Sequence, residues 1–352
     1  VVVSKTKNKS NLFKGLFYSV EEELKYLETE FLFRDLALTE FVKLGDVLSF
    51  LSNSGGKRLR PALVILCSLL CSKTPKLKKS HYLLATATEL LHTATLIHDD
   101  LIDNSLQRRG QNSLYQEIGT KSAVLVGDYF FSQASYKISS LENLEINKAY
   151  AKTLSELCIG ELKQAKILFK INESLKTYLR KSKYKTASLF STGTFSAGVL
   201  SQFCFGEVLD NQAFLLSNFG NYLGLAFQII DDLMDFGKTK NKPSFEDITS
   251  GILNAPVIFA LRNEQHREEI LSILYKLGYQ GQTRNYDLLE KEKNQLIIKL
   301  LSLLETTGGL KQAKNLAKEY TNKAQEILER FPDNIYKKNL IQLIQFLAER
   351  DS

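Results

Sequence analysis

The feature that most limits the fold is a long stretch without proline. The chain has five prolines, and none falls between Pro75 and Pro243. Strand-and-turn architectures need frequent punctuation, so such a stretch favours long helices. The apolar spacing agrees. Leu83, Leu84, Ala87, Leu90, Leu91, Ala94 and Ile97 recur three and four apart. Phe219, Leu223, Ala226, Ile230 and Leu233 do the same, as do Ile297, Leu300, Leu301 and Leu304. That is the period of a helix with one buried face. Alternating runs bounded by Asn-Gly or Asp-Gly, the signature of hairpins, are missing. Loops are expected around residues 52–57, 71–80, 236–247 and 276–285. No low-complexity linker divides the chain. The expectation is one all-α domain over residues 1–352, with residues 1–12 as an N-terminal extension.

Charge and cysteine content narrow the partners. The net charge of +7 suits nucleic acid, an anionic membrane surface or a phosphorylated small molecule. The lysines are scattered and no arginine-rich run occurs, so nucleic acid is not expected. Cys67, Cys71, Cys158 and Cys204 form no CxxC pair and no cluster with histidine. They read as buried thiols of a protein in a reducing compartment, not as zinc ligands. No apolar run approaches the ~18–20 residues of a membrane span, so at most peripheral membrane contact is expected. The start, "VVVSKTKNKSNLFKG", is basic and lacks an initiator Met, which is compatible with the remnant of a trimmed targeting segment.

Two stretches stand out against this background. "TLIHDDLID" carries Asp99, Asp100 and Asp103, and "QIIDDLMD" carries Asp231, Asp232 and Asp235. Each sets three carboxylates at i, i+1 and i+4 into an apolar helix. Residues i and i+4 share a face about one turn (~5.4 Å) apart. Asp99 and Asp103 therefore point one way, as do Asp231 and Asp235. Such carboxylates repel, and burying them together would neutralise one. A hard divalent cation removes both problems, and Mg²⁺ suits because it shares its shell with water and phosphate. Basic residues follow each motif: Arg108 and Arg109 after the first, Lys238 and Lys242 after the second. Metals and cations together suggest one polyanion. "SGGKRLRPAL" adds two glycines with Lys57, Arg58 and Arg60 just before Pro61 starts a helix, a ready phosphate site.

With these strings in view, the chain resembles the trans-type isoprenyl diphosphate synthases, also called polyprenyl synthetases. The resemblance covers nearly the whole chain. It rests on "GGKRLRP", "ELLHTATLIHDDLIDNSLQRRG", "VLVGDYFFSQAS", "YKTASL", "LGLAFQIIDDLMDF" and "ILNAPVIFAL", in the family's order. The long-chain branch, with the solanesyl-type synthases of cyanobacteria and plastids, is the most similar. The resemblance implies a bundle of long helices around a central cavity, a prenyltransferase activity, several Mg²⁺ ions and a homodimer. It implies successive head-to-tail addition of isopentenyl diphosphate to an allylic diphosphate, giving a long-chain product for a quinone side chain. It also points to a plastid or the cytoplasm.

By match, Asp99, Asp103 and Asp231 are metal ligands, with Asp100, Asp232 and Asp235 beside them. Lys57, Arg60, His92 and Arg109 match positions that bind isopentenyl diphosphate. Arg108, Lys185, Thr186, Gln228 and Lys242 match positions that hold the allylic diphosphate. Asp99, Asp103, Arg108, Lys185 and Asp231 would carry catalysis, and Thr186 and Gln228 would face the cation. His81, His98 and His266 read as structural. The chain departs from the family's usual Gly-Lys-Pro at Asn241-Lys242-Pro243. It has Ile252 where a lysine often stands, and "RRGQNSLY" lacks the usual proline and histidine.

In this family the product grows along the helix of the first motif. Ala94 and Thr95, then Leu91, then Thr88 and Ala87 line successive turns below Asp99. None is aromatic, which favours a long product. Phe130, Phe131, Phe190 and Phe195 are candidates to plug the tunnel instead. Other readings are a geranylgeranyl diphosphate synthase, a non-catalytic subunit of a heteromeric synthase, a terpene cyclase, or a basic helical scaffold. The last two fail to explain "DDLMD" and the paired carboxylates.

Overall fold

The computed structural model describes residues 17–32, 58–72, 76–108, 111–171, 174–205, 211–237, 245–279 and 290–349. Helices dominate these residues, as the periodicity predicts. The helices that position the site are α1 (Leu59–Leu70), α2 (Lys79–Ile102), α3 (Thr120–Ser139), α4 (Leu144–Ile167), α5 (Leu175–Ser182), α6 (Ser188–Phe205), α7 (Gln212–Phe236), α8 (Ala255–Ala260) and α9 (Gly309–Leu328). The strand pairing among the described residues is one short antiparallel contact, Gln107–Arg108 with Gln111–Asn112.

The chain divides into two compact units. One is drawn from Val1–Ala151, Thr192–Ser217 and Glu329–Gln342, the other from Lys152–Ser191, Asn218–Leu328 and Leu343–Ser352. In the first, α2 packs against α1 and α3. Helix α1 is buried on every side from Pro61 to Leu70, which is why it shows no polar face. It begins at Leu59, so Pro61 sits within its first turn rather than starting it. Arg58 precedes it in a left-handed conformation (φ 51°) and is itself buried. Its guanidinium holds Glu28 at 2.7 Å and the enclosed Glu89 at 2.9 Å. Arg58 is therefore a core cation, not one offered to a ligand. Removing one partner of such a buried pair costs about 3–5 kcal/mol.

Helix α2 starts at an unusual cap. Lys78 N–H donates to Nδ1 of His81 at 3.0 Å, the part a Glu or Gln side chain plays in a capping box. His81 is wholly enclosed, and burial lowers its pKa to about 4, so the ring is neutral. Midway along, Thr88 Oγ1 donates to the Leu84 carbonyl and meets the buried Tyr150 hydroxyl of α4 at 2.5 Å. Ala94, Ile97, Leu90 and Leu91 complete the buried face.

In the second unit, α8 packs on α9. A Cβ at Gly309 would lie 2.5 Å from the Pro256 carbonyl, so only glycine allows that approach. Between α5 and α6 the chain widens into a single π-turn, Lys183–Ala187. Such bulges recur at functional sites because they re-aim side chains within a helix. Helix α7 meets this turn closely: a Cβ at Gly224 would sit 2.6 Å from Cα of Ala187. By length and composition α7 could cross a bilayer, contrary to the sequence expectation. More than half of its apolar window is nevertheless buried in the protein, through Phe219, Leu223, Ala226, Ile229 and Ile230. That is the pattern of a core helix.

Candidate active site

Both aspartate triads stand at the C-terminal ends of their helices. Asp99 and Asp100 lie in the last turn of α2 and Asp103 caps it, its N–H bonded to the Asp99 carbonyl at 2.8 Å. The chain then turns through Asn104 (φ 50°), and Ser105 N–H returns to the Asp100 carbonyl at 2.9 Å. Asp231, Asp232 and Asp235 occupy the last turns of α7. A helix C-terminus is the negative end of its dipole, so each carboxylate there is disfavoured by about 0.3–1 kcal/mol. Three at one end multiply that cost.

The second triad is the more elaborate. Asp231 is exposed and Asp232 is buried. Asp232 Oδ2 accepts from the Tyr178 hydroxyl at 2.6 Å, and Oδ1 accepts from Gln228 Nε2 at 2.8 Å. Gln228 Oε1 accepts from the Thr186 hydroxyl at 2.5 Å. The close passage of Gly224 over Ala187 makes this possible, since it brings one turn of α7 against the π-turn. Burial raises the Asp232 pKa to about 6; Tyr178, Gln228 and Lys181 oppose that shift and Asp231 adds to it. A further carboxylate joins from Glu246–Thr249. Asp247 N–H donates to Asp235 Oδ2 at 3.3 Å. Burial, then the charges of Asp232 and Asp235, push the Asp247 carboxyl well above its ordinary range. Carboxylate oxygens such as these are the hard donors a divalent cation like Mg²⁺ takes. Among the described residues, no three His, Cys, Asp or Glu side chains converge enough to hold an ion alone.

The remaining expected residues fall as follows. Lys185, in the π-turn, pairs with Glu161 of α4 at 2.8 Å. His92 is half-buried two turns before Asp99. Arg60 lies in the first turn of α1, and Arg108 pairs its backbone with Gln111. Lys57, Arg109, Lys238 and Lys242 lie outside the described residues. Of the wall residues on α2, Thr88, Leu91 and Ala94 are buried, and Thr95 bonds back to the His92 carbonyl. His98 has its Nε2 3.2 Å from the Val124 carbonyl oxygen, and its ring lies tilted against Phe131 with centroids 5.3 Å apart. A Cβ on Gly127 would lie 2.2 Å from that nitrogen.

Sequence reading missed Tyr178, Lys181, Glu161, Asp247 and Tyr150. Asp247 had a signal, an acidic residue in "FEDITSG" soon after the second triad. The others are ordinary Tyr, Lys and Glu until the fold is known.

A family model for polyprenyl synthetases matches residues 42–291. The chain belongs to the polyprenyl synthetase family. The chloroplastic solanesyl-diphosphate synthase 2 of Oryza sativa subsp. japonica is 36% identical over 303 residues, 84% of this chain and 70% of that protein. The crystal structure of a decaprenyl diphosphate synthase from Rhodobacter capsulatus superposes with a TM-score of 0.83 at 27% identity, over 96% of this chain and 99% of that one. A polyprenyl synthase from Caulobacter crescentus, solved with calcium and isoprenyl diphosphate, gives 0.79 at 26%, over 99% and 100% of the two chains.

Proposed function

We propose that this chain is a long-chain trans-prenyl diphosphate synthase, a prenyltransferase that adds isopentenyl diphosphate repeatedly to an allylic diphosphate. Residues 1–352 act as one catalytic domain in this reading. The observation that carries it is the pair of carboxylate triads, each at the negative end of an apolar helix, in a chain 36% identical to a solanesyl diphosphate synthase. Asp99, Asp103 and Asp231 would hold Mg²⁺, with Asp100 and Asp235 beside them. Bound Mg²⁺ would supply positive charge to the leaving diphosphate. The calcium and isoprenyl diphosphate of the Caulobacter relative support a divalent ion and this substrate class.

The chain's own residues do the rest. Arg108, Lys185 and Lys242 hold the allylic diphosphate, and Lys185 would exchange Glu161 for it. Lys57, Arg60, His92 and Arg109 hold isopentenyl diphosphate. The allylic C–O bond breaks and its electron pair leaves with the diphosphate. Thr186 and Gln228 present oxygen dipoles to the resulting cation, fixed in advance by their mutual hydrogen bond. The double bond of isopentenyl diphosphate attacks that cation, and a proton is lost to the departing diphosphate. No nucleophilic side chain is needed; the protein supplies position and field.

Product length follows from α2. Thr95, Ala94, Leu91 and Thr88 put no aromatic side chain of their own on this wall, and the Tyr150 ring meets it at Thr88. Thr88 lies about 16 Å along the axis from Asp99. Phe190 packs on Phe227 and Phe195 on Phe214. A homodimer is supported by Val124, Leu125 and Tyr136, apolar residues left exposed on α3. The plastid is supported by the chloroplastic relative.

The test is Asp99→Ala and Asp103→Ala, assayed with isopentenyl and allylic diphosphates. Turnover should fall by about 10³-fold or more while helix content stays the same. Surviving turnover would remove the metal role from the first triad.

A further inference from the structure

The Thr186–Gln228–Asp232 chain has an anchor. Tyr178 on α5 is fully buried, and its hydroxyl donates to Asp232 Oδ2. Gln228 Nε2 donates to the other oxygen, Oδ1. Both oxygens of Asp232 thus face protein donors, and the residue is only 4% exposed. Its neighbour Asp231 is exposed. The hydrogen bonds also run in one sense. A carboxylate only accepts, so the Gln228 amide must turn its NH₂ to Asp232 and its carbonyl to Thr186. The negative charge behind the amide polarises it, which strengthens the oxygen dipoles ahead of it. Lys181, a turn along α5 from Tyr178, is also buried, with its ammonium 5.5 Å from the Tyr178 ring.

We propose that Tyr178 is a positioning residue: through Asp232 it fixes the orientation of Gln228 and Thr186, and Asp232 serves this network instead of ligating Mg²⁺. This deepens the proposed prenyl transfer and rests on it. It divides the second triad by role. Asp231 faces outward to the metal and substrate, while Asp232 faces inward and aims the dipoles that meet the allylic cation. Dipoles held in place before the C–O bond breaks need no reorganisation when charge develops.

The test compares Tyr178→Phe, Asp232→Asn and Asp231→Asn in the full chain. Tyr178→Phe keeps the buried ring and deletes one hydrogen bond. It should lower kcat about 10-fold, while the Mg²⁺ concentration for half-saturation and the affinity for an unreactive allylic diphosphate analogue, measured calorimetrically, stay within about two-fold of wild type. Asp232→Asn should do the same, and the double variant should lose little more than either single one. Asp231→Asn should instead raise the Mg²⁺ requirement and weaken the analogue. The proposal falls if Tyr178→Phe leaves kcat unchanged, or if Asp232→Asn shifts Mg²⁺ as Asp231→Asn does. Should Tyr178→Phe fail to fold by circular dichroism, the Asp232→Asn and Asp231→Asn comparison still decides. A wild-type chain that forms no product would instead sink the prenyl-transfer reading itself.

Discussion

The two aspartate triads have the same spacing and the same place at a helix end, yet the fold secures them differently. The first belongs to a helix fixed along its length: His81 caps its start, Thr88 meets Tyr150 midway, and a left-handed Asn104 ends it. The second belongs to a helix fixed sideways at the triad itself. Gly224 closes on Ala187, Gln228 reaches Thr186, Tyr178 takes Asp232, and Asp247 folds back on Asp235. Motifs of identical aspartate spacing therefore have distinct surroundings. The first triad is a terminus presented by a rigid rod. The second is one wall of a polar network that also holds Gln228 and Thr186.

That contrast can be broken or sharpened by substitution. The largest effect should come from Asp231→Ala, which removes an exposed carboxylate of the second triad. Turnover should fall by about 10³-fold with thermal stability nearly unchanged, measured by product formation and by melting. A large loss of stability would mean that Asp231 is structural, and the division of roles would fail.

Next comes the start of the first helix. The folded pKa of His81 is about 4, below its ordinary 6.5. The unfolded chain therefore takes up this proton first as pH falls. Stability from this group is full above about pH 6.5 and is lost as pH drops through 4, on the order of 3 kcal/mol in all. His81→Gln should remove that slope from denaturant titrations run between those pH values. An unchanged slope would show that the ring is not the neutral cap described.

Gly224→Ala strikes the second helix alone. Its Cβ would lie 2.6 Å from a backbone carbon, and relieving that clash should cost about 1–3 kcal/mol. Because α7 must shift away from the π-turn, kcat should fall more than the KM for the allylic substrate rises. A fall in stability with kcat intact would separate Thr186–Gln228 contact from catalysis. The smallest expected effect is Tyr150→Ala, which should lengthen the product ladder without reducing the rate of the first addition. Chromatography of the dephosphorylated products reads it directly, and an unchanged ladder would take Tyr150 off the chain-length wall.

The sequence carried the helices and the triads because both depend on local spacing. Apolar residues three and four apart place α2 and α7, and carboxylates at i and i+4 share a face whatever surrounds them. The network behind the second triad is different. Tyr178 and Asp232 lie 54 residues apart, and Thr186 and Gln228 lie 42 apart. Nothing in either segment alone marks them as partners. Arg58 shows the same limit from the other side. It stands in the cationic string expected at a phosphate, but Glu28 and Glu89 draw it into the core. The phenylalanines offered as tunnel plugs likewise meet rings distant in sequence, Phe190 with Phe227 and Phe195 with Phe214. The Tyr150 hydroxyl bonded to Thr88 was invisible for the same reason.

The most direct test of the central claim is to size the products of the purified chain. It would receive Mg²⁺, labelled isopentenyl diphosphate and, separately, dimethylallyl, farnesyl and geranylgeranyl diphosphates. The account predicts incorporation with each accepted primer, ending in a long polyprenol. A folded chain that binds Mg²⁺ with an allylic diphosphate but incorporates no label would contradict it, as would a ladder that stops at geranylgeranyl.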